Sequence, residues 1–148
     1  MRGKIMEIRA MVIEDYENVY KLWTNTAGMG MRSLDDSQRG IDKFLKRNPT
    51  TNFVAIADGE IVGVILCGHD GRRGYIYHAA VDIPYRGRGI GTKLVEAVYE
   101  ALEKEEITKV VLVVFKNNNI GNPFWKSIGW EERIDLNYYN KSINLENR

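Results

Sequence analysis

Val81-Asp82-Ile83-Pro84-Tyr85-Arg86-Gly87-Arg88-Gly89-Ile90-Gly91-Thr92 follows an apolar run, Tyr75 to Val81, and leads into an amphipathic one, Ile90 to Leu102. The order reads as strand, tight glycine-rich turn, helix. Pro84 has no N–H and biases Ile83 towards extended geometry, so the strand ends near it. Gly87, Gly89 and Gly91 let the backbone bend and approach a ligand with no side chain in the way. The first amides of the helix have no partners inside it, and the helix dipole adds partial positive charge there. Arg86 and Arg88 add full charges and Thr92 adds a hydroxyl. Such a turn suits an anion, most naturally a phosphate or pyrophosphate. Without a ligand the same residues make a strand-to-helix turn with two solvated arginines. The glycines run G-x-G-x-G, and no acidic residue on a following strand is evident for a ribose, which argues against a dinucleotide fingerprint. Gly91-Thr92-Lys93 reverses the Lys-Ser/Thr order of a P-loop.

Downstream, Ile90, Leu94, Val98 and Leu102 recur every four residues, with Lys93, Glu96, Glu100 and Glu103 facing out. Val110-Val111-Leu112-Val113-Val114-Phe115 is continuously apolar between Lys109 and Lys116, which predicts a strand buried on both faces. Strand, helix and strand form a βαβ unit with a right-handed crossover. Asn117-Asn118-Asn119 predicts a turn into a short helix that Gly129 ends, and Trp130 to Tyr139 can return as a last strand. Upstream, Phe53 to Ala57 and Glu60 to Gly68 flank Asp58-Gly59, a hairpin signal. His69-Asp70-Gly71-Arg72-Arg73-Gly74 then turns into the strand Tyr75 to Val81, giving an antiparallel meander. Arg72 and Arg73 fit either a phosphate contact or a solvated turn.

Met6 to Ala10 alternates as a half-buried strand. Asp15 is placed to cap a helix to about Asn25, with Tyr16, Val19, Tyr20 and Trp23 on its apolar face. Asp35 with Gln38 reads as a capping box for a second helix, closed by Asn48-Pro49. Between them, Gly28-Met29-Gly30-Met31 fits either a ligand-contacting loop or core filling.

The length, 148 residues, suits one domain over 1–148. Apolar content of 44% and charged content of 28% are those of a globular chain, and a net charge of +1 gives no electrostatic case for nucleic acid or membrane. No apolar run nears the ~20 residues of a membrane span. Met1-Arg2-Gly3-Lys4 does not open a signal peptide. The single cysteine, Cys67, excludes an internal disulfide, and a cytoplasmic setting is expected. His69 and His78 lack ligand-spaced partners, so no metal is expected.

Arg86-x-x-Gly89-x-Gly91, after a strand ending Ala80-Val81-Asp82-x-Pro84, resembles the acyl-CoA-binding motif of the GNAT superfamily of N-acyltransferases. Asn118-Ile120-Gly121, Phe124-Trp125 and Gly129-Trp130 resemble that family's later turn, aromatic pair and Gly-Phe. The resemblance implies a mixed α+β or α/β fold: a mostly antiparallel central sheet, helices on both faces, and the βαβ unit carrying the pyrophosphate loop. It implies acetyl-CoA as cosubstrate. Ala80 and Val81 would pair with the pantetheine, Arg86, Gly87, Arg88, Gly89, Ile90, Gly91 and Thr92 would hold the pyrophosphate, and Asn118 would approach the pantetheine. The expected reaction is acetyl transfer to a primary amine, of a small metabolite or of a peptide or protein, by direct attack in a ternary complex. A longer acyl group, or an acyl-CoA-binding or sensing module without turnover, are the alternatives.

Such a transfer needs a neutral amine, an oriented carbonyl, a stabilised oxyanion and a proton for the leaving thiolate. The family's positions for acid and base are filled here by other residues: Trp125 where a tyrosine serves, Val113 where a glutamate serves. By alternation, Tyr75, Tyr77 and Ala79 share one face of their strand, and His78 faces away unless a bulge rotates it. Tyr77 and Tyr138 are therefore the candidate proton donors, with aromatic packing as the structural alternative for each. Cys67 reads as a small buried hydrophobe rather than an acyl carrier. A homodimer paired through the final strand is compatible with Tyr138 and Tyr139 near a sheet edge.

Overall fold

The computed structural model describes residues 6–148; Met1 to Lys4, read above for a leader, lie outside them. Five strands form one sheet in the order β1-β2-β3-β4-β5. They are β1 (Met6–Ala10), β2 (Phe53–Ala57), β3 (Glu60–His69), β4 (Gly74–Val81) and β5 (Val110–Leu112). The first four pair antiparallel and β5 joins β4 in parallel, so the expected mixed, mostly antiparallel sheet is present. The β2–β3 hairpin turns on Asp58 and Gly59, both at positive φ as a tight two-residue turn requires.

Helices α1 (Tyr16–Thr24) and α2 (Gln38–Arg47) cover one face, and α3 (Ile90–Lys104) covers the other, with α4 (Gly121–Ser127) beside it. Ala55, Ile65, Cys67 and Ile76 pack under Leu94, Val98 and Leu102 of α3. Val54, Val64, Leu66 and Ala80 pack under Val19, Trp23, Ile41 and Leu45 of α1 and α2. On α1 it is Leu22, not Tyr20, that joins Val19 and Trp23 in the core.

Four expectations are corrected. Asp15 does not cap α1; its carboxylate accepts from the Val12 N–H and from both terminal nitrogens of Arg9, at 2.8 Å each for the latter. Ser37, rather than an Asp35–Gln38 box, caps α2 by accepting from the Gly40 N–H at 3.0 Å. Ser37 has the extended backbone of a cap. The strand at Val110 is short and lies at the sheet edge; Val110, Leu112 and Val114 pack on the α3 core while Val111, Val113 and Phe115 are exposed, so the apolar run is covered on one face and not on both. Finally, Trp130 to Tyr139 form no strand, and the route to a homodimer through it loses its strand.

Candidate active site

β4 is where the site begins. Ile65 of β3 lies opposite Ala79 and Cys67 lies opposite Ile76, so Leu66 faces two residues, Tyr77 and His78. This bulge breaks the alternation. Tyr77 packs edge-on against Phe44 of α2 at 5.7 Å, and His78 packs edge-on against Trp23 of α1 at 5.0 Å. His78 therefore lies on the same side as Tyr77, correcting the expectation that it faces away. Its Nε2 meets Asp36 Oδ1 at 2.9 Å, and both side chains are buried. Ala79 goes to the opposite side, level with Ile65.

Beyond the bulge β4 has an open edge. β5 pairs with Gly74, Tyr75 and Ile76 only, so among the described residues no strand lies on that side of Tyr77 to Val81. The Asp82 N–H bonds back to Val62 at 2.8 Å. By ladder alternation the main-chain groups of Val81 and Ala79 point to the open edge, while those of Ala80 point to β3 and its side chain lies in the core. Ala79 thus joins the Val81 N–H in offering free backbone groups where an extended ligand can lie, the Val81 carbonyl being taken by Arg86.

The strand ends in the glycine loop. Asp82 accepts from the Ile83 N–H at 3.1 Å and starts a 3-10 turn, Ile83–Tyr85, with Pro84 inside it. Gly87 and Gly89 have φ of 78° and 81°, and a Cβ on either would meet nothing within 4 Å. Gly89 is the N-cap of α3 and supplies no side-chain acceptor, so the first amides of the helix, Ile90 to Thr92, stay unpaired by a cap. No acidic residue stands in that turn. Arg86 is braced by its Nε donating to the Val81 carbonyl at 2.9 Å, and the Arg88 guanidinium lies 5.2 Å from the centre of the Tyr85 ring. The loop and helix start form an open, positive cradle of the kind that suits an anion, continuous with the open edge of β4. Gly91 differs: its missing side chain admits the Phe124 ring, about 3.1 Å from where a Cβ would stand, and so seats α4 against α3.

Asn118 builds the turn into α4, its Oδ1 accepting from Ile120 at 3.2 Å and Gly121 at 2.7 Å. The loop between α1 and α2 reaches over it: a Cβ on Gly28 would stand 3.2 Å from Asn118 Nδ2, and one on Gly30 would stand 3.6 Å from Phe115. Trp125 is buried in α4 between Phe124 and Trp130 and is a packing residue.

The two candidate tyrosines meet through a third. Tyr77 stacks on Tyr75 at 4.5 Å, and the Tyr138 hydroxyl acts electrostatically on the Tyr75 phenol. Tyr77 and Tyr138 are more than half exposed. Burial first, then the Tyr138 hydroxyl, pushes the Tyr75 phenol up to about 12, and burial with the Asp35 charge raises Tyr77. The Tyr75 and Tyr77 phenols therefore hold their protons near neutral pH and can donate them. Tyr75 was not among the sequence candidates; its position two residues before Tyr77 on the same face was the available signal. Burial also pushes the Cys67 thiol up to about 11, consistent with a packing role and not a nucleophile. Among the described residues no group of three metal-ligating side chains occurs, and no helix is long and apolar enough to cross a membrane.

Comparison with known proteins gives a consistent result. The acetyltransferase (GNAT) family model matches residues 13–130. An acetyltransferase of Sodalis glossinidius, SG1711, is 32% identical over 126 residues, spanning 85% of this chain and 87% of its own. One of Pectobacterium atrosepticum, ECA0875, is equally similar, at 32% over 126 residues. Among solved structures, PaiA N-acetyltransferase from Thermoplasma acidophilum, in complex with coenzyme A, superposes with a TM-score of 0.76 at 19% identity, over 86% of this chain and 90% of that one. Ard1 from Thermoplasma volcanium gives 0.74 at 24% identity, over 84% and 81%.

Proposed function

Because the chain belongs to the GNAT family of acetyltransferases, we propose that it transfers the acetyl group of acetyl-CoA to a primary amine. The observation that carries this reading is the continuity of the cradle with the open strand edge: Gly87 and Gly89 leave clear space, and on the side away from β3 no strand among the described residues pairs with Tyr77 to Val81. A pyrophosphate fits the first and an extended pantetheine the second. When bound, acetyl-CoA supplies an activated thioester carbonyl. The amides of Gly89 to Thr92 with Arg86 and Arg88 would hold the diphosphate. Val81 and Ala79 would fix the extended arm along β4, and Asn118, through Nδ2, would border it. The bulge turns Tyr77 and His78 towards the α1–α2 side, from which the acceptor amine enters. Tyr77, whose phenol burial raises, or Tyr138 would donate to the departing thiolate, directly or through water. Amine and thioester held together in one complex need no covalent enzyme intermediate.

Titration calorimetry with acetyl-CoA, coenzyme A and adenosine diphosphate tests the cofactor. Acetyl-CoA should bind, and removing the pantetheine should weaken binding. Amine-dependent release of free thiol then tests the transfer, with Tyr138→Phe expected to lower turnover by about tenfold and binding little. Binding without thiol release from any amine would favour a sensing module, a reading that the buried Trp125 at the family's tyrosine position keeps in play.

A further inference from the structure

The loop before α2, residues 32–37, is held from two sides by polar bonds. On its inner side Asp36 is buried: its carboxylate meets His78 Nε2 at 2.9 Å and accepts from the Arg32 N–H at 2.6 Å. Its carbonyl accepts from the Tyr16 hydroxyl at 2.7 Å. His78 belongs to the β4 bulge and packs on Trp23, so this side reaches β4 next to Tyr77. On the outer side the loop is fastened by residues 144–148, more than a hundred positions away. Asn147 Oδ1 accepts from the Leu34 and Asp35 N–H groups at 3.0 and 3.1 Å, which fixes the sense of the amide, and its Nδ2 donates to Asp35 Oδ2 at 2.8 Å. The Ser33 N–H donates to the Arg148 main-chain oxygen at 2.6 Å, and the Ser33 hydroxyl donates to the Glu146 carbonyl at 2.9 Å. Ser33, Leu34 and Asp35 are exposed, so polar bonds rather than apolar burial hold them in place.

Resting on the acetyl-transfer reading above, we propose that Asn147 is a positioning residue for the acceptor amine, acting through the loop that carries Asp36 to His78. The outer and inner bonds fall on neighbouring residues, Asp35 and Asp36. One stiff peptide unit joins them, so a shift at Asp35 is passed to Asp36 and from there to the bulge of β4. The amine enters on this α1–α2 side, and its nitrogen must stand within about 3–3.5 Å of the carbonyl it attacks. A wall displaced by about 1 Å seats it badly. The cradle at the start of α3 lies across the sheet from this loop, so the coenzyme end of the site is independent of Asn147.

The test is a donor–acceptor swap between Asn147 and Asp35. Asn147→Asp keeps the oxygen that accepts from Leu34 and Asp35 but sets a second oxygen against Asp35 Oδ2. Butylamine, lysine, spermidine and a short peptide with a free N-terminus are compared by thiol release, and the fastest is carried forward. Its KM should rise about fivefold in Asn147→Asp, with kcat within about twofold. Asp35→Asn alone leaves a side-chain oxygen for the Asn147 amide, and its KM should stay within about twofold of the parent. The double variant, Asp35→Asn with Asn147→Asp, exchanges donor and acceptor, and KM should return to within about twofold of the parent, a rescue that a general loss of stability would not give. Hydrogen exchange at the Leu34 and Asp35 amides should follow KM, faster in Asn147→Asp and slow again in the double variant. Acetyl-CoA affinity by calorimetry should be the same in every variant. A KM unmoved by Asn147→Asp, a rise that the double variant does not reverse, or an equal loss of acetyl-CoA affinity overturns the proposal. If the parent turns over and the swap fails, only the role of Asn147 is lost. If the parent releases thiol with none of these amines, the acetyl-transfer reading falls first and this proposal with it.

Discussion

Tyr75 is the residue around which the other tyrosines assemble, and its proton is a reporter of that assembly. Its phenol stands at about 12 in the fold against 10.0 in the free side chain, through burial first and the Tyr138 hydroxyl second. The unfolded chain therefore releases this proton first as pH rises. Its contribution to stability is complete below pH 10 and is lost between there and pH 12. Tyr75→Phe should flatten the fall in stability over that window, read by chemical denaturation at stepped pH; an unchanged slope would place the titration elsewhere. The neighbouring His78 shows where reading a sequence stops. Alternation assigned it to the wrong face because one bulge, two residues opposite Leu66, cannot be counted from a string of residues. The role of Asp36 was equally hidden, since adjacent carboxylates look alike until one of them meets His78.

Local patterns were legible wherever the backbone itself sets the constraint. Asp58-Gly59 turns the hairpin because both residues adopt positive φ, and the α3 stripe buries Ile90, Leu94, Val98 and Leu102 as its four-residue spacing requires. The glycine loop was legible for the same reason, although its glycines divide in role. Gly91 is small to admit Phe124, whereas Gly87 and Gly89 are needed for conformation. At φ of 81°, Gly89→Ala should cost about 1–2 kcal/mol of stability by thermal or chemical unfolding. Its methyl group would also enter the cradle, so acetyl-CoA affinity should fall by about tenfold in calorimetry. A stability loss with affinity unchanged would mean that the phosphates do not approach Gly89. Strand assignments failed where they depend on a partner. The apolar run from Val110 implied burial on both faces, yet only Val110, Leu112 and Val114 are packed, and Trp130 to Tyr139 had strand composition but form no strand.

At the scale of the molecule, one sheet separates two cores, and α3 belongs to both structure and site. Its first turn forms the cradle, while Leu94, one turn further on, is 2% exposed and packs beneath β3, against the position where a Cβ on Gly63 would stand. Leu94→Ala should remove about 3 kcal/mol, because the sheet and Val98 cannot close the cavity completely. Since β3 and β4 contribute side chains to both cores, the loss should appear as one cooperative transition and not as separate melting of the α3 side. Two transitions would show that the faces fold independently. Acetyl-CoA at about one hundred times its Kd should return roughly 2.7 kcal/mol to the variant, as it would to the parent chain. That recovery requires the cradle to keep its shape when the packing one turn below is loosened. A variant that unfolds once but gains nothing from acetyl-CoA would show instead that the start of α3 is held in place by Leu94, making the phosphate site a product of the core beneath it rather than of the glycine turn alone.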